Sequence, residues 1–128
     1  MASKFKTPLE LATEVAMALD DLTDKISRID DEIVALLKAG VAEGKPNWRE
    51  GKYLYLAYPP KEDGTRFREY IGCDPKRIAD ALARVERFAR WIYLRGLRDD
   101  LQEKHRRGWS ALNSVYWSLK ASQKEMAL

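Results

Sequence analysis

Side chains that perform most enzyme chemistry are nearly missing from this chain. Its 128 residues include one histidine, His105, and one cysteine, Cys73, well separated along the sequence. There is no glycine-rich phosphate loop, no nucleophile elbow and no spacing that gathers metal ligands. No catalytic residue, metal or cofactor is therefore expected, and the chain reads as a non-enzyme. Cys73 stands just before a helix start, where a thiolate would be stabilised. With no base near it in sequence, it reads as a structural thiol. A single cysteine cannot form an internal disulfide and fits a reducing, cytoplasmic setting. Long apolar runs are also lacking, so no transmembrane helix and no membrane partner are expected. Met1-Ala2-Ser3-Lys4-Phe5-Lys6 has no signal-peptide hydrophobic region.

What is present points to a helix-rich single domain over residues 1–128. Charged residues make up 34% and hydrophobic residues 45%, a composition of neither disordered nor membrane-spanning chains. A core this small gains from self-association. The net charge of +3 conceals an asymmetry. Residues 1–50 hold 7 Lys/Arg against 10 Asp/Glu, whereas residues 51–128 hold 16 against 10. The basic half can meet nucleic acid, or it can meet the acidic half of its own chain.

The fold class expected is mainly α (α+β): two long antiparallel coiled-coil-like helices, an inserted β-hairpin and a C-terminal helical extension. Thr7-Pro8-Leu9-Glu10 is a capping box with proline at the first helical position. From Ala12 through Val15, Leu19, Leu22, Ile26, Ile29 and Ile33 to Leu36, apolar residues alternate spacings of three and four, a coiled-coil seam. This gives a helix over 7–40 that stops at Gly40. Asp20 and Asp21 are adjacent, point about 100° apart on a helix and read as a solvated face. Residues 41–50 carry Gly44 and Pro46 and read as a linker. Trp48 within it either covers the hairpin or meets a ligand. Asp74-Pro75 caps a second helix over 74–122, with breaks expected near Gly96 or Gly108. Its seam of Ile78, Leu82, Val85, Ala89 and Ile92 matches that of the first helix and is expected to pair residues 75–95 with 8–39. His105 falls on the apolar stripe that continues it. Further on, Trp109, Leu112, Tyr116, Trp117 and Leu119 are too apolar for water and imply a homodimer or higher homo-oligomer.

Residues 51–72 are the one strand-like stretch recognised. Gly51-Lys52-Tyr53-Leu54-Tyr55-Leu56-Ala57-Tyr58, a turn around Pro59-Pro60 and Asp63-Gly64, then Arg66-Phe67-Arg68-Glu69-Tyr70-Ile71-Gly72 form the pattern of a β-hairpin. Period two sends Leu54 and Leu56 with Phe67 and Ile71 to one face. Tyr53, Tyr55, Arg66, Arg68 and Tyr70 share the other, where rings and guanidinium groups can stack bases and hold phosphates. The competing reading is that a ribbon needs aromatic cross-strand pairs simply to fold. Arg77 and Arg84, with Arg87, Trp91, Arg95 and Arg98, form a stripe on the second helix that extends this surface or pairs with the acidic first helix. Lys104-His105-Arg106-Arg107 reads as a solvated charge run.

Gly51-Lys52-x-x-Tyr55-Leu56, the Gly64 turn, Tyr70-Ile71-Gly72 and the helix after Asp74 resemble a family of small proteins of bacterial mobile elements. Its members have a helix, a glycine-rich link, a tyrosine-rich hairpin and a long Arg/Glu-rich helix, and the match covers roughly residues 33–100. The resemblance implies a phage, plasmid or transposon setting. Family members often carry a cysteine cluster before the hairpin; residues 40–50 contain none, so a metal role does not carry over. The hairpin-then-helix order is also similar to the arm-binding modules of phage integrases. Three functions follow as expectations. The first is a DNA-binding or other nucleic-acid-binding accessory protein that uses Tyr53, Tyr55, Arg66, Arg68, Tyr70, Arg77 and Arg84. The others are a phage-type inhibitor of a host protein and an oligomer that sequesters a small nucleotide.

Overall fold

A computed structural model describes residues 6–126, with side chains to Ala121. The signal-segment expectation for residues 1–5 lies outside them. In chain order the elements are helix α1 (Pro8–Ala39), strands β1 (Lys45–Arg49), β2 (Tyr53–Ala57) and β3 (Arg68–Gly72), and helix α2 (Pro75–Met126). The fold is mainly α, with a three-stranded antiparallel sheet ordered β1-β2-β3. No helix among the described residues is long and apolar enough to cross a membrane.

Helix ends follow local chemistry. The Glu10 amide donates to Thr7 Oγ1 at 3.1 Å, satisfying one of the first-turn amides that the helix leaves free. At the far end Gly40 takes φ +102° and its amide donates back to the Leu36 carbonyl at 3.1 Å, a left-handed cap suited to glycine. Asp74 caps α2 by accepting the Arg77 amide at 3.2 Å. No break occurs at Gly96 or Gly108. At Gly108 the space of a side chain is taken by Leu19, whose Cδ2 would lie 2.7 Å from an added Cβ.

The expected linker over 41–50 is corrected. Residues 45–49 form β1, paired with β2 from Lys45↔Ala57 to Arg49↔Tyr53. Pro46 is tolerated because β1 is an edge strand, where one amide needs no ladder partner. The intervening turn has positive φ at Glu50 (+53°) and Gly51 (+69°), the signs of the mirror-image turns that match strand twist.

The chain divides into two compact units. In Asp31–Gly96, one face of the sheet packs on the start of α2. Leu54 and Leu56 are fully buried with Ala42, Ile71 and Ala81, and Ile78, Leu82, Val85 and Tyr58 pack around them. Burying each leucine contributes about 1.5–3 kcal/mol. The seam residues Ile78, Leu82 and Val85 thus cover the sheet, and in this unit α1 meets α2 further along, at Arg87 and at Arg90 with Glu32, which narrows the expected 75–95 register. An open sheet face bearing Leu54 and Leu56 needs a cover, and the first turns of α2 supply it. β3 bulges against β2: Tyr70 pairs with Tyr55 and Gly72 with Leu54, which leaves Ile71 as the extra residue. In the same unit Arg87 donates to the carbonyls of Gly40 (2.6 Å) and Ala39 (3.2 Å), closing the end of α1.

The other unit, Met1–Asp30 with Leu97–Leu128, is an antiparallel helix pair. Going along α1, Leu19 faces Gly108, Thr23 faces His105 and Asp30 faces Arg98. Trp109, Tyr116, Trp117 and Leu119 remain more than half exposed on it.

Candidate nucleic-acid interface

Alternation along three strands builds the side of the sheet opposite Leu54 and Leu56. Pairing partners share a face, so Tyr55 lies between Asn47 of β1 and Tyr70 of β3, while Ala57 lies between Lys45 and Arg68. Tyr53 pairs with Arg49. The central strand thus presents tyrosines, and both neighbours bring cations to the rim.

Its geometry is specific. The Tyr55 and Tyr70 rings lie with centroids 5.0 Å apart at a 52° tilt. The Arg49 guanidinium sits 4.9 Å from the Tyr55 centroid, and the Lys52 ammonium, from the turn, 5.2 Å from that of Tyr53. Tyr53 and Tyr55 are half-buried, and Tyr70 is exposed. None of the residues paired across this face is acidic. Glu69, beside Arg68, pairs with Leu56 and turns to the other side.

On that other side a second, polar cleft is lined by Glu69, Ile71, Arg77, Asp80, Arg84 and Arg87. Arg77 is exposed at its edge, and the other two guanidinium groups are drawn into the fold. Arg84 meets Glu69 at 3.3 Å, and Arg87 holds the end of α1. The Tyr58 hydroxyl donates to Glu69 at 2.8 Å. Burial, then the hydrogen bond to this carboxylate, raises the Tyr58 pKa.

The expected site therefore separates. Tyr53, Tyr55, Arg68 and Tyr70 come together. Arg77 and Arg84 belong to the opposite cleft. Arg66 lies in the loop before β3 and does not alternate with Arg68 on a strand; it is exposed there. The loop is held by its own turn, in which Gly64 donates to the Lys61 carbonyl at 2.8 Å and Thr65 to Asp63 Oδ1 at 2.9 Å. Phe67 is expected on the leucine face but is exposed, its ring 5.4 Å from that of Tyr58.

Sequence reading missed Lys45, Asn47, Arg49 and Lys52. The signal was present: polar Lys45, Asn47 and Arg49 alternate with Pro46 and Trp48, and Glu50-Gly51 follows. Trp48 pairs with Leu54, on the leucine face of the sheet. Of the remaining Arg stripe, Arg98 meets Asp30 at 3.4 Å and Arg95 lies 4.7 Å over Trp91. His105 Nε2 lies 3.2 Å from Thr23 Oγ1, which itself donates to the Leu19 carbonyl. Cys73 is exposed.

No family model matches the chain, and neither a curated protein nor a solved structure does.

Proposed function

We propose that the protein is a non-enzymatic, DNA-binding accessory protein of phage, plasmid or transposon origin that works in the cytoplasm through the tyrosine face of its sheet. One observation carries this reading: Tyr53, Tyr55 and Tyr70 share a face whose rim is Lys45, Arg49, Lys52 and Arg68, with no paired carboxylate among them. Rings give bases a stacking surface regardless of sequence, and the cations hold the phosphates.

Arg49 and Lys52 rest on the rings of the free protein, so a base must displace them. An exposed cation–π contact is worth about 0.5–1 kcal/mol, against about 1–3 kcal/mol for stacking one base on an aromatic ring. The base wins, and the released cation is then placed for phosphate.

Salt titration tests the reading. Wild-type protein should bind labelled DNA at low salt, and Arg49→Ala/Arg68→Ala should bind more weakly with a shallower salt dependence. Loss of two phosphate contacts should lower the slope of log K against log salt by about 1.4–1.8, at ~0.7 per contact on single strands and ~0.9 on duplex. Absence of binding at low salt refutes it.

Self-association forms part of the proposal. Trp109, Tyr116, Trp117 and Leu119 are exposed apolar side chains on one unit, which a second copy would cover.

A further inference from the structure

We infer that the strand bound by the tyrosine face is unpaired DNA, with successive bases laid on two separate ring platforms; this rests on the nucleic-acid reading above. Tyr53 and Tyr55 stand two positions apart on β2, a separation of about 6.6–6.8 Å at roughly 3.3–3.4 Å per strand residue. Stacked bases of a duplex recur about every 3.4 Å along each strand. Adjacent bases held in a duplex stack therefore cannot meet one ring each. A strand drawn out to twice that spacing can.

Tyr53 alone forms the first platform. The second is Tyr55 with Tyr70. Their centroids lie 5.0 Å apart, less than the roughly 6.8 Å needed to sandwich a base between two rings at ~3.4 Å on either side. With the rings tilted 52° to each other, the pair offers no slot: a base lies flat on one ring and meets the other at its edge. A cation rests over a ring of each platform, Lys52 at Tyr53 and Arg49 at Tyr55, so each base that displaces one leaves a phosphate partner next to it.

Duplex recognition calls for forked hydrogen-bonding side chains aimed at base edges in a groove. Here the central strand presents Tyr53, Tyr55 and Ala57, and the hydrogen-bonding Lys45, Asn47, Arg49 and Arg68 occupy the flanking strands, with Tyr70 on β3.

Fluorescence anisotropy of the full chain at low salt, with labelled oligothymidine, a duplex of equal length and oligouridine, tests the inference. Oligothymidine should bind at least about tenfold tighter than duplex and no weaker than oligouridine. Tyr53→Ala and Tyr70→Ala should each weaken oligothymidine binding about fivefold or more, weaken duplex binding by less, and be rescued by Tyr53→Phe and Tyr70→Phe. Tyr70 is exposed, so its variants keep the test available should Tyr53→Ala fail to fold. Duplex bound as tightly as oligothymidine overturns the inference and spares the nucleic-acid reading; tighter binding of oligouridine overturns the choice of DNA. Failure of all three probes to bind removes both readings.

Discussion

The hydroxyl of Tyr58 donates to one oxygen of Glu69 at 2.8 Å, while the other oxygen of Glu69 takes the Arg84 guanidinium at 3.3 Å. One carboxylate thus ties the loop after β2 to α2. Removing it leaves two half-buried polar groups without this partner. Glu69→Ala should lower stability by about 1–2 kcal/mol, the low end for charged hydrogen bonds because the group is partly solvated. A urea melt reads this directly, and an unchanged midpoint contradicts the linkage. The Tyr58 pKa lies above its ordinary 10.0, so its contribution is whole below that value and is lost as pH rises through the folded pKa. Absorbance titration should show one phenol ionising late, and earlier in Glu69→Gln.

Two glycines should respond oppositely to alanine. At Gly44 an added Cβ would lie 2.8 Å from Leu56 Cβ, an atom fixed to the backbone, whereas at Gly96 nothing lies within 4 Å. Gly44→Ala should destabilise by about 1–3 kcal/mol through overpacking. Gly96→Ala should stabilise by about 0.8–1 kcal/mol through helix propensity. Thermal melts that shift both variants the same way would refute this packing.

Arg77 and Arg84 provide an internal control for the interface. Both line the cleft on the leucine side of the sheet. Arg77→Ala should leave nucleic-acid affinity and its salt slope near wild type, and Arg84→Ala should lower the melting temperature by removing the Glu69 pair. A loss of binding in Arg77→Ala equal to that in Arg68→Ala would move the interface to the other face.

Self-association is checked by mass. Light scattering should report at least a dimer, and Trp109→Ser/Trp117→Ser should shift it toward monomer while circular dichroism stays helical. A wild-type chain that remains monomeric at high micromolar concentration excludes the proposed burial.

Hydrogen bonds from Arg106 and Arg107 bring the Glu103 pKa to about 2. Its contribution is complete above the ordinary carboxylate range and is lost as pH falls from there through about 2. A carboxyl NMR titration should find Glu103 still ionised well below the ordinary carboxylate range, and Arg106→Ala should return it toward that range.

Helix boundaries were legible because their signals are local: Thr7, Gly40, Asp74 and Pro75 each act within one turn. The shared face of Tyr53, Tyr55 and Tyr70 was legible for the same reason, since period two fixes which side chains lie together. β1 was not. Lys45, Pro46 and Asn47 have little strand preference, and the strand exists because the edge of β2 offers unpaired backbone groups. Without β1, Lys45, Asn47 and Arg49 could not be placed. The Arg stripe misled for a related reason. Periodicity put Arg77 and Arg84 on one helical face, but the sheet position of Glu69 decided where that face points.

The grip of Arg87 on the end of α1 also bears on the order in which the chain acquires structure. The carbonyls of Ala39 and Gly40 wait for a donor 47 to 48 positions downstream, and Thr23 meets His105 across 82 positions. A ribosome releases α1 long before either partner exists. Its apolar seam then emerges uncovered, and loops of this span must close before the seam can be buried. α1 thus waits for α2 before it gains its native surroundings, although it is made before α2.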